Sequence, residues 1–373
     1  MPTNAPTVPH RQPSPSTPNR GKLPRCTTTH ASFPKQCIFV FSLPGRRAFV
    51  VASDAMTLTS LEMCAGAGGQ ALGLEAAGFS HQALVELDRN ACLTLRHNRP
   101  GWNVIQGDLH HFDATPFQGV DLVCGGLPCP PFSVAGKQLG KDDERNLFPT
   151  AIRIIRQTRP RAVMIENVRG ILDAVFLDYR EFIRGELAAL GYTTDWKLLN
   201  ASDYGVSQLR PRVVFVALKH QFAKAFEWPV PAIIKPRTVG DLLHDLIAAN
   251  GWKGADLWRE RANEIAPTIV GGSLKHGGPD LGPTRAKKAW QSLSVDGHGI
   301  ANSAPERDFV GLPRLTVRMV ARIQGFPDDW AFSGAKTPAY RQVGNAFPPP
   351  VAAAVARQIH KCLASTSQLA AVS

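Results

Sequence analysis

Leu58-Thr59-Ser60-Leu61-Glu62-Met63-Cys64-Ala65-Gly66-Ala67-Gly68-Gly69-Gln70-Ala71 is the stretch on which the fold turns. A short apolar run, Leu58–Met63, reads as a strand. It enters a glycine turn and reopens as a helix from about Gln70 to Ala77. Glycines let a backbone approach a ligand closely, and a helix N-terminus favours negative or polar groups. Gly66-Ala67-Gly68-Gly69-Gln70-Ala71 also fits the loose dinucleotide fingerprint, which by itself is equally compatible with a tight connection.

Outward from this turn the same rhythm repeats. Strand patterns at Ala83–Leu87, Val104–Gln106, Asp121–Cys124 and Ala162–Ile165 alternate with helix patterns at Asn90–His97, Phe148–Gln157 and Asp178–Leu190. Two more strands follow, at Thr193–Leu199 and Arg212–Leu218. Short apolar strands alternating with helices predict an α/β fold with a doubly wound, mostly parallel sheet. After Lys219 the rhythm breaks. Residues 220–313 are rich in Gly and Pro with few strand or helix periods, and good helices return at Thr316–Gln324 and Pro350–His360. The expected division is a disordered extension over 1–55, a main domain over 56–219, a second, smaller domain over 220–313, and a segment over 314–373 that returns to the main one.

Bulk properties bound the function. The 373 residues are 44% hydrophobic and 19% charged, as in a soluble globular protein. Formal net charge is +12, which suggests a polyanionic partner. About half of that excess sits in residues 1–55, with seven Lys/Arg against Asp54. Residues 1–35 are rich in Pro, Thr, Ser and Arg, too polar to offset the entropy of ordering. Met56, just before the first strand, is expected to be the natural start. The seven cysteines are odd in number and lack zinc-ligand spacing, so neither a metal nor a disulfide framework is expected, and the compartment reads as cytoplasmic. No apolar run approaches the ~20 residues of a membrane span.

Two acids, Glu86 and Asp108, stand in order after successive strands. Glu86 closes the second strand, where an acid can take both ribose hydroxyls. Asp108 follows the third and could accept from an adenine amine; together they favour a nucleoside cofactor over solvated strand ends. After the fourth strand comes Gly125-Gly126-Leu127-Pro128-Cys129-Pro130-Pro131-Phe132-Ser133. A lone cysteine is usually a small buried hydrophobe. Cys129 is flanked by prolines in a loop at the sheet's carboxyl edge, where α/β ligands bind, and a thiolate there is a strong nucleophile. Glu166-Asn167-Val168 ends the next strand on the same edge, as a proton donor or acceptor or else a helix cap. Gln208-Leu209-Arg210-Pro211-Arg212 opens the last strand, with both arginines expected on one side, to hold an anion or carbonyl or else form a surface charge pair.

These four sites, in this order, resemble those of the DNA (cytosine-5)-methyltransferases of the bacterial and phage restriction-modification type, from about Leu58 to Ile359. Pro128-Cys129-Pro130-Pro131-Phe132-Ser133 looks like the family's nucleophile loop, Glu166-Asn167-Val168 like its acid motif, and Gln208/Arg210/Arg212 like its Gln-x-Arg-x-Arg motif. Arg314–Met319 with Arg322–Pro327 resembles its ninth motif and Tyr340–Ala346 its tenth. Two positions depart: Cys64 stands where the family often has Phe, and Met319 where it commonly has an acid.

The resemblance implies a Rossmann-like sheet binding S-adenosylmethionine, with residues 220–313 as target-recognition domain. It implies Cys129, Glu166, Arg210 and Arg212 as catalytic residues. Cofactor residues would be Cys64, Ala65, Gly66, Gly68, Gly69, Glu86, Leu87, Asp108, Leu109, Pro128, Asn345 and Ala346. Double-stranded DNA would meet Ser133, Lys137, Gln208, Lys275, Arg285 and Lys287. The implied chemistry is attack of the Cys129 thiolate on carbon 6 of a flipped-out cytosine, which makes carbon 5 nucleophilic. The enzyme is expected to be a monomer in the cytoplasm, at the nucleoid through DNA, and the modification partner of a restriction enzyme. A tRNA cytosine methyltransferase on the same scaffold is the alternative substrate reading. A nicotinamide oxidoreductase leaves Cys129 and Glu166 unexplained, and nothing supports a catalytically silent DNA-binding relative.

Overall fold

A computed structural model describes residues 57–128, 146–233, 235–272 and 278–370. The expectations for residues 1–55 and for Met56, Cys129, Ser133, Lys137 and Lys275 lie outside the described residues.

In chain order the described elements are β1 (Leu58–Met63), α1 (Gly69–Ala76), β2 (Phe79–Glu86), α2 (Arg89–Asn98), β3 (Val104–Gln106), β4 (Leu122–Gly126), α3 (Phe148–Thr158), β5 (Ala162–Asn167), α4 (Leu177–Ala189), β6 (Tyr192–Asn200), β7 (Pro211–Lys219), α5 (His220–Ala223), α6 (Val239–Ile247), α7 (Ala255–Arg261), α8 (Thr284–Ser292), α9 (Val317–Ile323), α10 (Lys336–Asn345) and α11 (Pro349–Ala370). The strands form one sheet in the order β3-β2-β1-β4-β5-β7-β6. β1 to β5 pair in parallel, and β7 pairs antiparallel to both β5 and β6. The reversal follows from the connection. Only residues 201–210, with a single 3-10 turn at Ala201–Tyr204, join β6 to β7. A parallel return needs a crossover of a dozen or more residues, normally a helix.

The chain winds from β1 out to β3, then comes back past β1 to start β4. This is a topological switch point, where the loops after β1 and β4 diverge and leave a crevice at the carboxyl ends of the strands. Side chains alternate across the sheet, so its two faces bury separate clusters. Leu61, Val123, Val163 and Phe215 pack under α3 and α4 residues such as Phe148 and Ile183. Leu122, Met164 and Val214 pack under α1 and α11, with Leu74, Val351 and Val355. A third cluster joins Ala65 and α2 to α6 through α10.

The middle region holds more regular structure than its Gly/Pro-rich composition predicts. α5 to α8 form within 220–313. They are short, so each shows only two or so turns of periodicity to a sequence pattern. Local caps set some of these ends: the Thr238 hydroxyl accepts from Asp241 N at the start of α6.

Gly73 is where α1 meets α11. A Cβ there would lie 2.5 Å from Ala352 Cβ and 2.7 Å from Pro349 O. Gly-to-Ala exchange inside a helix ordinarily stabilises by up to about 1 kcal/mol. Here overlap with neighbouring backbone reverses the sign. Gly73→Ala is expected to destabilise the protein by about 1–3 kcal/mol, read as a lower urea midpoint; a raised midpoint would mean that α11 shifts freely.

Candidate active site

The carboxyl ends of β1, β2, β3, β4 and β5 bring their loops to one edge, and the antiparallel β7 begins at that same edge. Register fixes the neighbours: Gly126 pairs with Glu166, and Glu166 with Val214, two residues after Arg212. Arg212 Nε donates to Glu166 Oε1 at 2.8 Å, with the two side chains only 14% and 7% exposed. Burial pushes the Glu166 carboxyl above the usual carboxylate range. The charges of Arg212 and then Arg210 pull the other way without cancelling that effect. A carboxyl poised towards its protonated form, beside a fixed cation, can hand a proton to a bound base. Leu127 and Pro128 continue from β4 beside this pair, and Cys129 is the next residue of the chain.

Arg210 and Arg212 both act on Glu166 through their charge, but their hydrogen bonds go to different groups. Arg210 is fully buried; its Nη1 donates to Ile269 O at 2.6 Å, and its Nη2 to Gly344 O and Ala346 O at 2.8 and 3.1 Å. Its charge reaches Glu166, while its bonds hold backbone. Gln208 corrects an expectation. It has no exposed surface, and its amide bonds to Gln324 Oε1 and Ile269 N, so it does not reach a DNA groove. Lys287 reaches Asp280 Oδ2 at 2.9 Å, and Arg285 is exposed on α8.

Around the glycine turn, Glu86 accepts from Gly66 N and Asp88 N, each at 2.7 Å. Burial pushes its carboxyl above the usual carboxylate range, against the pull of these hydrogen bonds. Asp108 is exposed and accepts from His110 N at 2.9 Å. Gly66, at φ +54, has open space where a Cβ would stand, whereas a Cβ on Gly69 would collide with Phe347 O. Leu87 is 66% exposed beside Glu86, and Ala65 and Leu109 are core residues. Asn345 is exposed, with Nδ2 donating to Gly272 O at 3.3 Å.

Both family departures have a local explanation. Cys64 is half-buried at φ +50, and burial with Glu86, Glu62 and Asp108 nearby holds its thiol protonated. Met319 replaces an acid in a capping box: its Sδ accepts from Thr316 N at 3.4 Å while Thr316 Oγ1 accepts from Met319 N. Arg318 and Arg322 pair with Asp328 instead, and Arg322 also with Asp245.

Sequence reasoning missed Glu62 and Gln70. Glu62 is buried in β1 under the turn; among the described residues Glu62 Oε2 has no hydrogen-bond partner, and neither side-chain amide atom of buried Gln70 has one. The available signal was an acid inside an otherwise apolar strand, two residues before the turn. Burial, then the Glu86 charge, drives the Glu62 carboxyl well above its ordinary value. The unfolded chain loses this proton first, near pH ~4.3. Folding therefore becomes less favourable as pH rises from there towards the raised folded value. Glu62→Gln is expected to gain stability over the parent by roughly 1.4 kcal/mol for each pH unit of that separation. Urea denaturation of both proteins across the neutral range reads it; a pH-independent difference would contradict a neutral Glu62.

Comparison with known proteins agrees with this arrangement. The family model described as C-5 cytosine-specific DNA methylase matches residues 58–361. The Type II methyltransferase M.NgoMIV of Neisseria gonorrhoeae is 58% identical over 313 residues, covering 83% of this chain and 99% of its own. M.NaeI of Lentzea aerocolonigenes, also a Type II methyltransferase, is 55% identical over 313 residues, covering 82% of this chain and 76% of its own. A putative DNA modification methyltransferase encoded within an Escherichia coli prophage has a solved structure that superposes with a TM-score of 0.59 at 25% identity, covering 82% of this chain and 99% of that one. With a parallel sheet reversed at β7, an acid–arginine pair at its carboxyl edge and this match over most of its length, the chain belongs to the C-5 cytosine-specific DNA methylases.

Proposed function

We propose that this enzyme transfers a methyl group from S-adenosylmethionine to carbon 5 of a flipped-out cytosine in a specific duplex DNA sequence, as the modification member of a type II restriction-modification system. The buried Glu166–Arg212 pair is the observation that carries the reading. The Type II relatives at 58% and 55% identity support DNA over tRNA as substrate.

The residues around the glycine turn fit the cofactor. Glu86 and Asp108 give the turn an acidic rim, suited to a ligand that carries an ammonium and a sulfonium. Glu86 Oε2 already occupies Gly66 N, an amide that a dinucleotide would need for its pyrophosphate, so a nicotinamide cofactor fits poorly. Glu86 takes the ribose hydroxyls, Asp108 the adenine amine, and exposed Leu87 a face of the base; Gly66, Gly68, Gly69, Asn345 and Ala346 complete the pocket. S-adenosylmethionine supplies an electrophilic methyl group when bound there.

Cys129 attacks carbon 6 as the thiolate, forming the covalent adduct that makes carbon 5 nucleophilic. Glu166 gives its proton to ring nitrogen 3 and so removes the charge that would otherwise build on the base. Arg212 orients the Glu166 carboxyl and holds the base carbonyl. Once carbon 5 carries the methyl group, loss of its proton to water expels the Cys129 thiolate, and nitrogen 3 returns its proton to Glu166. A stacked base is out of reach of any thiol, so the target leaves the duplex at a cost of a few kcal/mol. Residues 220–313 form the target-recognition region, with Arg285 meeting phosphate or base edges beside Ser133, Lys137 and Lys275. The enzyme works as a monomer in the cytoplasm, on nucleoid DNA; among the described residues no helix is long and apolar enough to cross a membrane, and no His/Cys/Asp/Glu group could hold a metal.

Bisulfite sequencing of DNA from cells expressing the enzyme is expected to reveal one short sequence protected at a single cytosine; unprotected DNA would refute the activity. Cys129→Ser is expected to abolish methyl transfer while S-adenosylhomocysteine still binds in calorimetry, and near-normal turnover would rule out Cys129 as nucleophile. Because Glu166 must be protonated, kcat is expected to fall as pH rises through its raised value. Glu166→Gln should lower kcat by about 10²–10⁴-fold and abolish that alkaline fall; an unchanged pH profile would remove Glu166 from the proton transfer.

A further inference from the structure

Arg210 joins three segments that are remote in sequence. It holds Ile269 O on one side and Gly344 O and Ala346 O on the other. Gln208 accepts from Ile269 N at 2.9 Å and donates to Gln324 Oε1 at 2.5 Å, and Gln324 donates in turn to Ala346 O at 2.6 Å. All three side chains are fully buried. The strap 266–272 is pinned to the start of β7 along its length: Ala266 N donates to Ser207 O, Leu209 N to Ala266 O, and Thr268 Oγ1 to Leu209 O. At its far end the strap lies directly on α10. A Cβ on Gly344 would sit 2.5 Å from Gly271 Cα, and one on Gly271 would sit 2.8 Å from Arg341 O. Tyr340 Oη adds a bond to Val270 O at 3.0 Å.

We propose that Arg210, with Gln208 and Gln324, is a positioning residue that splints the recognition strap to the cofactor pocket, so that duplex DNA and cofactor each strengthen the binding of the other. The proposal rests on reading Asn345 and Ala346 as cofactor residues and 266–272 as the entry to the recognition region. The physical basis is close packing. At Gly344 the strap and the end of α10 touch backbone to backbone, and the Asn345 side chain packs against Gly271 beside them, so the contact leaves little room to absorb a displacement. A shift imposed on the strap by DNA moves Gly344, Asn345 and Ala346 with it. Any cofactor-induced shift of Asn345 returns to the strap by the same route, and linkage makes the two effects equal in free energy. A buried arginine suits this task because its planar fork reaches several carbonyls at once, which a lysine ammonium cannot do from one position.

The test is calorimetry of S-adenosylhomocysteine binding to the full chain, with and without a duplex carrying the methylated sequence found by bisulfite sequencing. The parent protein is expected to bind the ligand about tenfold more tightly when the duplex is present. Arg210→Lys should bring that factor to roughly twofold or less. Tyr340→Phe, which removes one strap bond and leaves the ring in the core, should reduce it by about half or more. Thermal melting establishes which variants fold, and Tyr340→Phe carries the test if Arg210→Lys does not. Equal ligand affinity with and without duplex in the parent overturns the proposal, as does full coupling in a folded splint variant. Failure of the parent to bind S-adenosylhomocysteine at all overturns the cofactor reading first, and the splint with it.

Discussion

Glu166 and Arg212 meet because β7 runs against β5. β5 delivers its acid at the carboxyl edge of the sheet, and a strand of opposite direction starts at that edge. Were β7 parallel, its first residues would lie about 20 Å away, at the far end of a six-residue strand. The reversal depends on the short connection 201–210, which leaves no length for a crossover helix. The chemistry of the site thus depends on a constraint of chain length that involves none of its reacting groups.

Burial then decides how the carboxyl groups behave. Glu62, Glu86 and Glu166 are all pushed above the usual carboxylate range, in each case chiefly by removal from water. Only Glu166 has an arginine in contact. Among the described residues, Glu86 and Asp108 lie around the turn without an arginine partner, whereas Glu166 lies beside the fixed positive charge of Arg212. Cys64 shares the acidic environment of the turn, which keeps its thiol protonated and distinguishes it chemically from a nucleophile.

The two arginines of the Gln-x-Arg-x-Arg stretch illustrate the limit of a pattern. Two positions apart on an extended chain, they read as a pair facing one ligand. Arg210 precedes β7 and turns into the protein, where carbonyls of 269, 344 and 346 await it. Gln208 is drawn inward in the same way. These partners come from segments 59 to 136 residues distant, a separation invisible to any local window. The same holds for Gly271 and Gly344, whose mutual approach gives each its reason to lack a side chain.

Local sequence determined the α/β class, the position of nearly every strand, the glycine turn and the identity of Glu86, Glu166 and Arg212 as edge residues, because period, turn chemistry and strand ends are written in neighbouring residues. It also pointed to Cys129 through the prolines that flank it. Tertiary structure decided the direction of β7, the helices within 220–313, the polar atoms of Glu62 and Gln70 that lack partners among the described residues, and the separate hydrogen-bond partners of Arg210 and Arg212. Each of these depends on which remote segment arrives to cover, satisfy or oppose a group, and that is settled only when the whole chain packs.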